Sequence, residues 1–306
     1  MLTIEQIRRI AHQTGARDID KVETDVILTC LLQLFHDKGI TEHVAFKGGT
    51  MLRKMIFGSR GRLSTDLDFT RRTDISDEGL MEMMLDAVGQ SYHVLSFRFD
   101  RDKDWYFTDN SLAANPVCTH VGNEKGVNVR LEVSLREKPI LAVRVMPQIA
   151  QDYFKFVPFG PAGVPSLAYE EAVAEKIRAA SQRSKIRDLH DLSEVVGRPL
   201  NRDLIRALAV IKLWESDRNN LDYGQFTEQI KSGGDYDLRE LTNLLRKDQR
   251  PDLKDMIGRV VEGFRFLGQM TDLERKLALD NARSCRAEID ALKGEAVTRA
   301  SEAART

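Results

Sequence analysis

Two short stretches, VAFKGGT at residues 44–50 and DLDF at residues 66–69, decide how the N-terminal half of the chain folds. Their apolar residues predict two strands, and residues 50–57 between them predict a helix that ends at a glycine. Along a strand, side chains two residues apart point to the same side. Asp66 and Asp68 therefore share one face, while the apolar residues beside them face the core.

This arrangement is typical of a site for a metal ion and a phosphate group. Two carboxylates at this spacing suit Mg²⁺, which usually takes one or two protein carboxylates and completes its shell with water and phosphate. A glycine pair lets the backbone approach phosphate oxygens, and the helix start at Thr50 offers free N–H groups. In isolation, Asp-x-Asp is more often a solvated strand edge, and Gly-Gly-Thr is more often a turn. Their order and closeness favour the site.

Glu132 is a candidate third acid. Residues 127–135 alternate strictly between apolar and polar, which predicts one half-buried strand with Glu132 on its polar face, flanked by Arg130 and Ser134. One interpretation is a solvent-facing glutamate paired with arginine. If the strand lies beside residues 66–68, Glu132 instead completes an acidic triad able to hold two metal ions, or one metal ion and a base.

The periodicity elsewhere predicts an α+β fold. Helices are expected over 19–36 and 76–88, the second capped by Ser76. Period-two patterns predict further strands over 93–100, 105–108, 117–121, 140–146 and 154–159.

The densest Pro/Gly punctuation, at residues 161–165, predicts a domain limit, with a mixed sheet and flanking helices over 1–163 and an all-α domain over 164–306. Ser166 is the expected cap of the first helix of that second domain. Helices are expected over 187–196, 202–216, 223–231, 237–247, 252–271 and 272–303, and the last of these reads as an exposed helix or a partner surface.

Composition narrows the function classes. The chain has 46 Lys and Arg residues against 47 Asp and Glu, a net charge of −1, which argues against a uniformly basic nucleic-acid coat but permits local patches. Residues 47–72 hold seven basic residues against two acids, and residues 176–187 hold five against none, so two basic segments are expected beside the site. The alternative is two solvated helix faces. Three scattered cysteines and the lack of a signal peptide or membrane span favour the cytoplasm.

Four motifs carry a resemblance to a known family. They are Lys-Gly-Gly-Thr-x-Leu at 47–52, Arg-x-Ser-x-Asp-x-Asp-Phe at 62–69, the Glu-Lys helix EAVAEKIRAA at 171–180, and RDLHDL at 187–192. Together they resemble the AbiEii/AbiGii toxin nucleotidyltransferases, which include the MenT-type toxins and belong to the DNA polymerase β-like superfamily. Two departures are Glu132, where the superfamily usually has Asp, and the 16 residues between Gly49 and Asp66.

The resemblance implies a role for each matching residue. Gly48, Gly49 and Thr50 would cradle the nucleotide phosphates, with Ser64 close by. Asp66 and Asp68 would bind Mg²⁺, with Glu132 as the third acid. Lys176 would bind the nucleotide, and Asp188 or Asp191 would be the distal acid. Further nucleotide contacts are expected from Lys47, Arg62 and Arg187.

The residues of the second domain also allow a purely structural interpretation. Lys176 lies at the edge of an apolar helix stripe, where a lysine can simply cover core surface with its aliphatic stem. Arg187, Asp188 and Asp191 can form an ordinary charge pattern at a helix N-terminus.

For the whole protein, the resemblance implies a toxin of a toxin–antitoxin or phage-defence pair. Such an enzyme would transfer a nucleoside monophosphate from an NTP to the 3′ end of tRNA, with Mg²⁺ as cofactor and an antitoxin protein as partner. Two alternatives stay open. One is modification of a protein or small molecule, or phosphoryl transfer, by the same site. The other is a non-catalytic module that binds nucleic acid or an antitoxin.

Overall fold

A computed structural model describes residues 2–100, 102–216, 218–233 and 236–303 of the 306-residue chain. The chain divides into two compact units. The first runs up to Pro139 and adds Val143–Leu167 and Thr242–Arg250, and the second contains Ile140–Ala142, Ala168–Leu241 and the residues from Pro251 onward. A domain limit at residue 163 stays a prediction.

Ten strands lie in the described part of the first unit. Their bounds are β1 Val44–Lys47, β2 Asp66–Arg71, β3 Ser96–Arg98, β4 Trp105–Thr108, β5 Ser111–Ala114, β6 Val117–His120, β7 Asn123–Asn128, β8 Arg130–Ser134, β9 Arg144–Pro147 and β10 Gly163–Ser166. Seven of these described strands form a mixed sheet in the order β4-β5-β8-β2-β1-β10-β9, and the other three form a small sheet in the order β3-β6-β7. In the larger sheet β2 runs antiparallel to β1 and parallel to β8, so the two predicted strands are central neighbours.

The core of the first unit lies on the apolar face of these central strands. The ring of Phe69 packs against the rings of Phe35 and Phe46, with 5.3 Å between centroids in each pair. Phe35 belongs to α2 (Ile19–Asp37), which confirms the helix predicted over 19–36 and begins where the Asp18 side chain accepts from two backbone amides. The remaining helices of this unit are α1 (Ile4–Thr14), α3 (Gly48–Met51) and α4 (Asp77–Val88), the last capped by Ser76 as predicted.

Short irregular helices complete the first unit. α3 continues directly into a π-helical turn over Leu52–Phe57, and 3-10 turns span Ile40–Glu42, Gly58–Arg60 and Asp152–Phe156.

The single strand predicted over 127–135 is wrong, because the chain changes sheets at Val129. Residues before it, in β7, pair with β6, and residues after it, in β8, pair with β2 and β5. Val129 is buried and its amide donates to the carbonyl of Pro116 at 3.1 Å. Alternation survives the change because the backbone stays extended, so periodicity does not reveal the break.

Two further expectations near the end of the first unit are wrong. Residues 154–159 form no strand, since Tyr153 is drawn into the core and its hydroxyl accepts from Thr29 Oγ1 at 3.1 Å within a 3-10 turn. Ser166 caps no helix. It lies in β10, and its hydroxyl donates to the carbonyl of Val164 at 3.0 Å.

The second unit is helical, as predicted. Its described helices are α5 Tyr169–Gln182, α6 Ile186–Val196, α7 Arg202–Trp214, α8 Tyr223–Ser232, α9 Leu238–Leu244 (whose last residues belong to the first unit), α10 Leu253–Gly263, a 3-10 turn Arg265–Gly268, α11 Asp272–Leu279 and α12 Arg286–Ala303. No helix among the described residues is both long and apolar enough to cross a membrane.

The one helix expected over 272–303 is broken after Leu279. The Asp280 carboxylate accepts from the amide of Cys285 at 2.8 Å and from the indole of Trp214 at 3.1 Å, which holds the chain in a turn. Residues of α11 and α12 are also buried, among them Leu277 and Leu292. One continuous helix is therefore wrong, whereas the expected exposure holds for most residues of α11 and α12.

Candidate active site

The glycine pair lies where β1 ends, next to the acids of β2. Gly48 has a φ of +80°, and a Cβ added there would overlap the carboxylate of Asp68. The backbone at Gly48 thus passes against Asp68 as only glycine allows. Lys47 lies opposite Asp68 in the antiparallel register of β1 and β2.

Thr50 joins the phosphate-loop candidate, which is residues 48–50, to β2. Its hydroxyl donates to the backbone carbonyl of Asp66 at 2.5 Å, and the residue is buried. The side chain of Asp66 accepts in turn from the amide and hydroxyl of Thr65, at 3.2 and 2.7 Å. These hydrogen bonds fix the loop to the start of β2, where Asp66 and Asp68 lie.

Glu132 lies beside the two aspartates, but its carboxylate is engaged by arginine. In the parallel pair of β2 and β8, Glu132 is opposite Asp68 and Arg130 is opposite Asp66. Arg130 Nη2 lies 2.6 Å from Glu132 Oε2. Glu132 therefore occupies the position next to the aspartates that an acidic triad requires. Its side chain, however, pairs with arginine, which is the alternative interpretation of the sequence.

The donor set of this face fits a hard divalent cation through Asp66 and Asp68. Both are half-buried carboxylates on the same side of β2, and the Asp68 carboxylate lies against the backbone of Gly48. Within the described ranges, however, no group of three or more His, Cys, Asp or Glu side chains is arranged to hold a metal ion. The three-acid cluster expected from the sequence is not assembled in this structure.

The loop that leads into β2 carries Arg62 and Ser64, both buried. A segment distant in the sequence supports this loop: the amide of Leu63 donates to the carbonyl of Leu244 at 2.8 Å, and Gln249 Nε2 donates to the carbonyl of Arg60 at 2.9 Å. Sequence reasoning missed residues 242–250 as part of this unit, because no local pattern signals such a long-range contact.

Four of the seven cations in the basic segment expected over 47–72 are engaged within the protein. Arg53 and Lys54 are buried against Asp25, Arg71 pairs with Asp77, and Arg72 donates to a backbone carbonyl. The sequence count missed this because the neutralising acids lie outside residues 47–72.

The residues predicted from the second pair of motifs meet in the helical unit. Lys176 Nζ of α5 lies 2.9 Å from Asp188 Oδ1 and 2.9 Å from Asp191 Oδ2 of α6, and all three side chains are at least nine-tenths buried. Arg183 Nε donates to the other oxygen of Asp188 at 2.8 Å. Lys176 is thus held by two carboxylates.

The charges of this cluster set its protonation. Burial would raise the pKa of Asp188, but the Lys176 ammonium and the Arg183 guanidinium outweigh burial and hold the pKa below its usual range. Burial and the Asp188 charge together raise the pKa of Tyr236 to about 12, so this neighbour, which the sequence did not single out, keeps its proton. A carboxyl group with a lowered pKa is a poor general base near neutral pH.

The second basic segment is also neutralised. Arg187 Nε lies 3.0 Å from Glu240 Oε1, and Arg178 pairs with Glu175. With Lys176 and Arg183 bound to acids as well, four of its five cations have carboxylate partners. The expectation of a dense basic patch over 176–187 is therefore wrong.

Comparison with known proteins provides further evidence about the family of this chain. The family profile described as "Nucleotidyl transferase AbiEii toxin, Type IV TA system" matches residues 30–277. Among solved structures, MenT4, a nucleotidyltransferase toxin from Mycobacterium tuberculosis H37Rv, is similar with 25% sequence identity and a TM-score of 0.77, over 97% of this chain and 99% of that one. JHP933 from Helicobacter pylori is similar with 17% identity and a TM-score of 0.48, over 87% of this chain and 97% of that one. No curated protein sequence matches significantly.

Proposed function

The chain belongs to the AbiEii nucleotidyltransferase toxin family of type IV toxin–antitoxin systems, and we propose that it transfers a nucleoside monophosphate from an NTP to the 3′ acceptor end of tRNA. Modification of that end would block aminoacylation and so stop translation. The proposal extends the family activity to a named acceptor and to a dependence on Mg²⁺.

One observation carries the proposal. Gly48, at positive φ, brings the backbone of the glycine pair against the Asp68 carboxylate, with Asp66 on the same face of β2. A backbone that can approach phosphate oxygens and two carboxylates that can hold a cation are what a bound nucleoside triphosphate requires at its phosphate end.

The residues of the first unit have separate tasks in this mechanism. The backbone at Gly48, Gly49 and Thr50 would bind the phosphate oxygens. Asp66 and Asp68 would hold Mg²⁺, which when bound polarises the phosphoryl oxygens and offsets the charge that develops on them. The acceptor hydroxyl then attacks the α-phosphorus, the bond to pyrophosphate breaks, and the hydroxyl proton passes to a nearby carboxylate.

Glu132 is the carboxylate we propose for that proton. It lies opposite Asp68 in the neighbouring strand. The same carboxylate lies 2.6 Å from Arg130 Nη2.

Lys176 would bind nucleotide phosphate, with Asp188 and Asp191 as the residues that position its ammonium. Their contacts with Lys176 Nζ at 2.9 Å support this division of roles. The family also implies a cognate antitoxin protein as a partner of the chain.

Labelled nucleotides test the proposal. Purified protein is incubated with total tRNA, Mg²⁺ and each NTP in turn, labelled either at the α- or at the γ-phosphorus. We expect the α-label alone to enter RNA, and Asp66→Asn, which preserves side-chain shape, to abolish this labelling while the melting temperature changes little.

Each other outcome overturns part of the proposal. Transfer of the γ-label means phosphoryl transfer, and α-label in protein means a protein acceptor. Full labelling by Asp66→Asn would contradict the metal-binding role of Asp66. Labelling that persists in EDTA would contradict the dependence on Mg²⁺.

A further inference from the structure

A buried charge cluster surrounds the turn that follows the phosphate-loop candidate in the chain. The π-helical turn Leu52–Phe57, which continues from α3, carries Arg53 and Lys54, and both are buried. Their counter-charge is Asp25 of α2, whose side chain is 2% exposed. Buried ion pairs often contribute little net stability, so a cluster of this kind calls for another explanation. π-helical turns are frequent at functional sites.

Lys54 is fixed by both its side chain and its backbone. Its ammonium donates to Asp25 Oδ1 at 3.1 Å, to Thr29 Oγ1 at 2.8 Å and to the carbonyl of Asp25 at 2.9 Å. Its own carbonyl accepts from the amide of Ile149 at 2.7 Å. The turn that follows the glycine pair is therefore held to α2 on one side and to the residues after β9 on the other.

Arg53 extends the same cluster to the loop that enters β2. Its Nη2 lies 3.5 Å from Asp25 Oδ2, and its Nη1 donates to the carbonyls of Gly58 and Gly61, the latter at 3.0 Å. A Cβ at Gly61 would come within 2.9 Å of the Cβ of Phe57, so the chain is closely packed at this point. The two oxygens of Asp25 thus contact Lys54 and Arg53, and Arg53 in turn reaches the carbonyl of Gly61 in the loop before β2.

We propose that Asp25 is a positioning residue of the nucleotide site, which acts through Lys54 on the phosphate loop and through Arg53 on the loop that carries Ser64 into β2. The inference rests on the proposed function. Asp25 precedes residue 30, where the family match begins, and nothing in the match assigns it a role.

The electrostatics of the cluster agree with a fixed, charged carboxylate. Burial would raise the pKa of Asp25, but the neighbouring Lys54 and Arg53 charges outweigh burial and lower it. Removal of this charge leaves two cations without their counter-ion in a low-dielectric interior, and the turn must shift to relieve it.

The test separates positioning from simple stabilisation. Asp25→Asn keeps the shape of the side chain and removes its charge. Steady-state kinetics with NTP, and equilibrium binding of a non-hydrolysable NTP analogue, are measured at a temperature where the variant is folded by circular dichroism. We expect KM and the analogue Kd both to rise about tenfold, equivalent to about 1.4 kcal/mol, while kcat changes much less.

A second buried ion pair in the helical unit provides the matched control. Arg206 Nε lies 2.7 Å from Glu274 Oε2, with side chains 5% and 0% exposed. Glu274→Gln should lower the melting temperature as Asp25→Asn does, and leave KM and Kd unchanged. Equal effects of the two variants on Kd would overturn the inference, as would a folded Asp25→Asn with wild-type KM and Kd.

A milder variant covers the case in which Asp25→Asn does not fold. Thr29→Val removes one acceptor of the Lys54 ammonium without removing a charge, and should raise Kd in the same direction by a smaller factor. A folded Thr29→Val with unchanged Kd then overturns the inference. If the wild-type protein itself binds no NTP analogue, the proposed function fails instead, and the two failures are distinct.

Discussion

Gly48 shows how strongly a single residue can constrain the proposed site. Its backbone is in the left-handed region, and the space where a side chain would begin is filled by the Asp68 carboxylate. Gly15 has a similar φ of +67°, but no atom lies within 4 Å of its missing Cβ. Gly48 thus combines a strained backbone with overlap, whereas Gly15 offers the strained backbone alone.

We expect Gly48→Ala to abolish nucleotidyl transfer and Gly15→Ala to preserve it. Both lose about 1 to 2 kcal/mol of stability from the left-handed backbone, but Gly48→Ala must also displace Asp68. Thermal melts and α-label transfer measure the two effects separately. Wild-type activity in Gly48→Ala would contradict the close approach of backbone and carboxylate.

The Lys176 cluster predicts a pH dependence of stability. The pKa of Asp188 is lowered on folding, so its contribution is complete above the unfolded pKa of about 4 and is lost as pH falls through the folded value. Asp188→Asn should therefore cost about 3 kcal/mol or more near pH 7, because it leaves Lys176 with one carboxylate fewer.

Urea unfolding of wild type and Asp188→Asn between pH 7 and pH 3 measures this difference. The gap between the two proteins should be constant from pH 7 to about pH 5 and should narrow below pH 4. Asp109→Asn, at an exposed turn, serves as the control and should match wild type near neutral pH. A gap that widens on acidification would contradict the assignment.

At the scale of elements, local pattern predicted most helices and the central strands. The β1 strand and the Ser76 cap of α4 lie where the sequence placed them, because apolar period and capping chemistry are local properties. The break at Val129 and the turn at Asp280 were missed. The first depends on which strand the backbone pairs with, and the second depends on Trp214, 66 residues away in the sequence.

The residues of the candidate site were likewise predicted only where the signal is local in the sequence. Asp66, Asp68 and the glycine pair were found because their spacing is local, and the register of β2 and β8 places Glu132 beside them. Asp25 was not found, since only the packing of α2 against the π-helical turn brings it to Lys54. The pairing of Glu132 with Arg130 was offered but could not be chosen from alternation alone.

The segment Thr242–Arg250 predicts a coupling between distant elements of the first unit. Leu244 is 5% exposed, and its carbonyl accepts from the amide of Leu63. Leu244→Ala should cost about 2 to 5 kcal/mol through the cavity it leaves. Hydrogen exchange should then show faster exchange at residues 60–66.

Leu279→Ala is the matched control, since Leu279 is 74% exposed. It should leave both stability and exchange unchanged. Protection of residues 60–66 that stays at the wild-type level in a folded Leu244→Ala would contradict the supporting role of this segment.

At the scale of the whole molecule, many of the cations are paired internally with carboxylates. Of the twelve cations counted in the two basic segments, Lys54, Arg71, Lys176, Arg178 and Arg187 are among those bound to carboxylates. Paired cations release few counterions when a polyanion binds. The number of basic residues in the sequence therefore overstates how many cations are available to bind a polyanion.

The internal pairing predicts a shallow salt dependence for the binding of tRNA, the acceptor that we propose. Twelve available cations would give a slope of log K against log salt concentration near −10, whereas we expect a slope shallower than about −5. Filter binding between about 50 and 300 mM KCl measures this slope. A slope near −10 would contradict the internal pairing.

Residues 242–250 belong to the first unit although they follow most of the second unit in the sequence, and this order affects how the protein folds during synthesis. A nascent chain emerges from the ribosome N-terminus first, and domains generally begin to fold in that order. All ten described strands have been made by residue 166, yet the loop before β2 still lacks the Leu244 carbonyl and the Gln249 side chain. The unit that carries the acids therefore reaches its complete form only after residues 242–250 have left the exit tunnel, well after its last strand has been made.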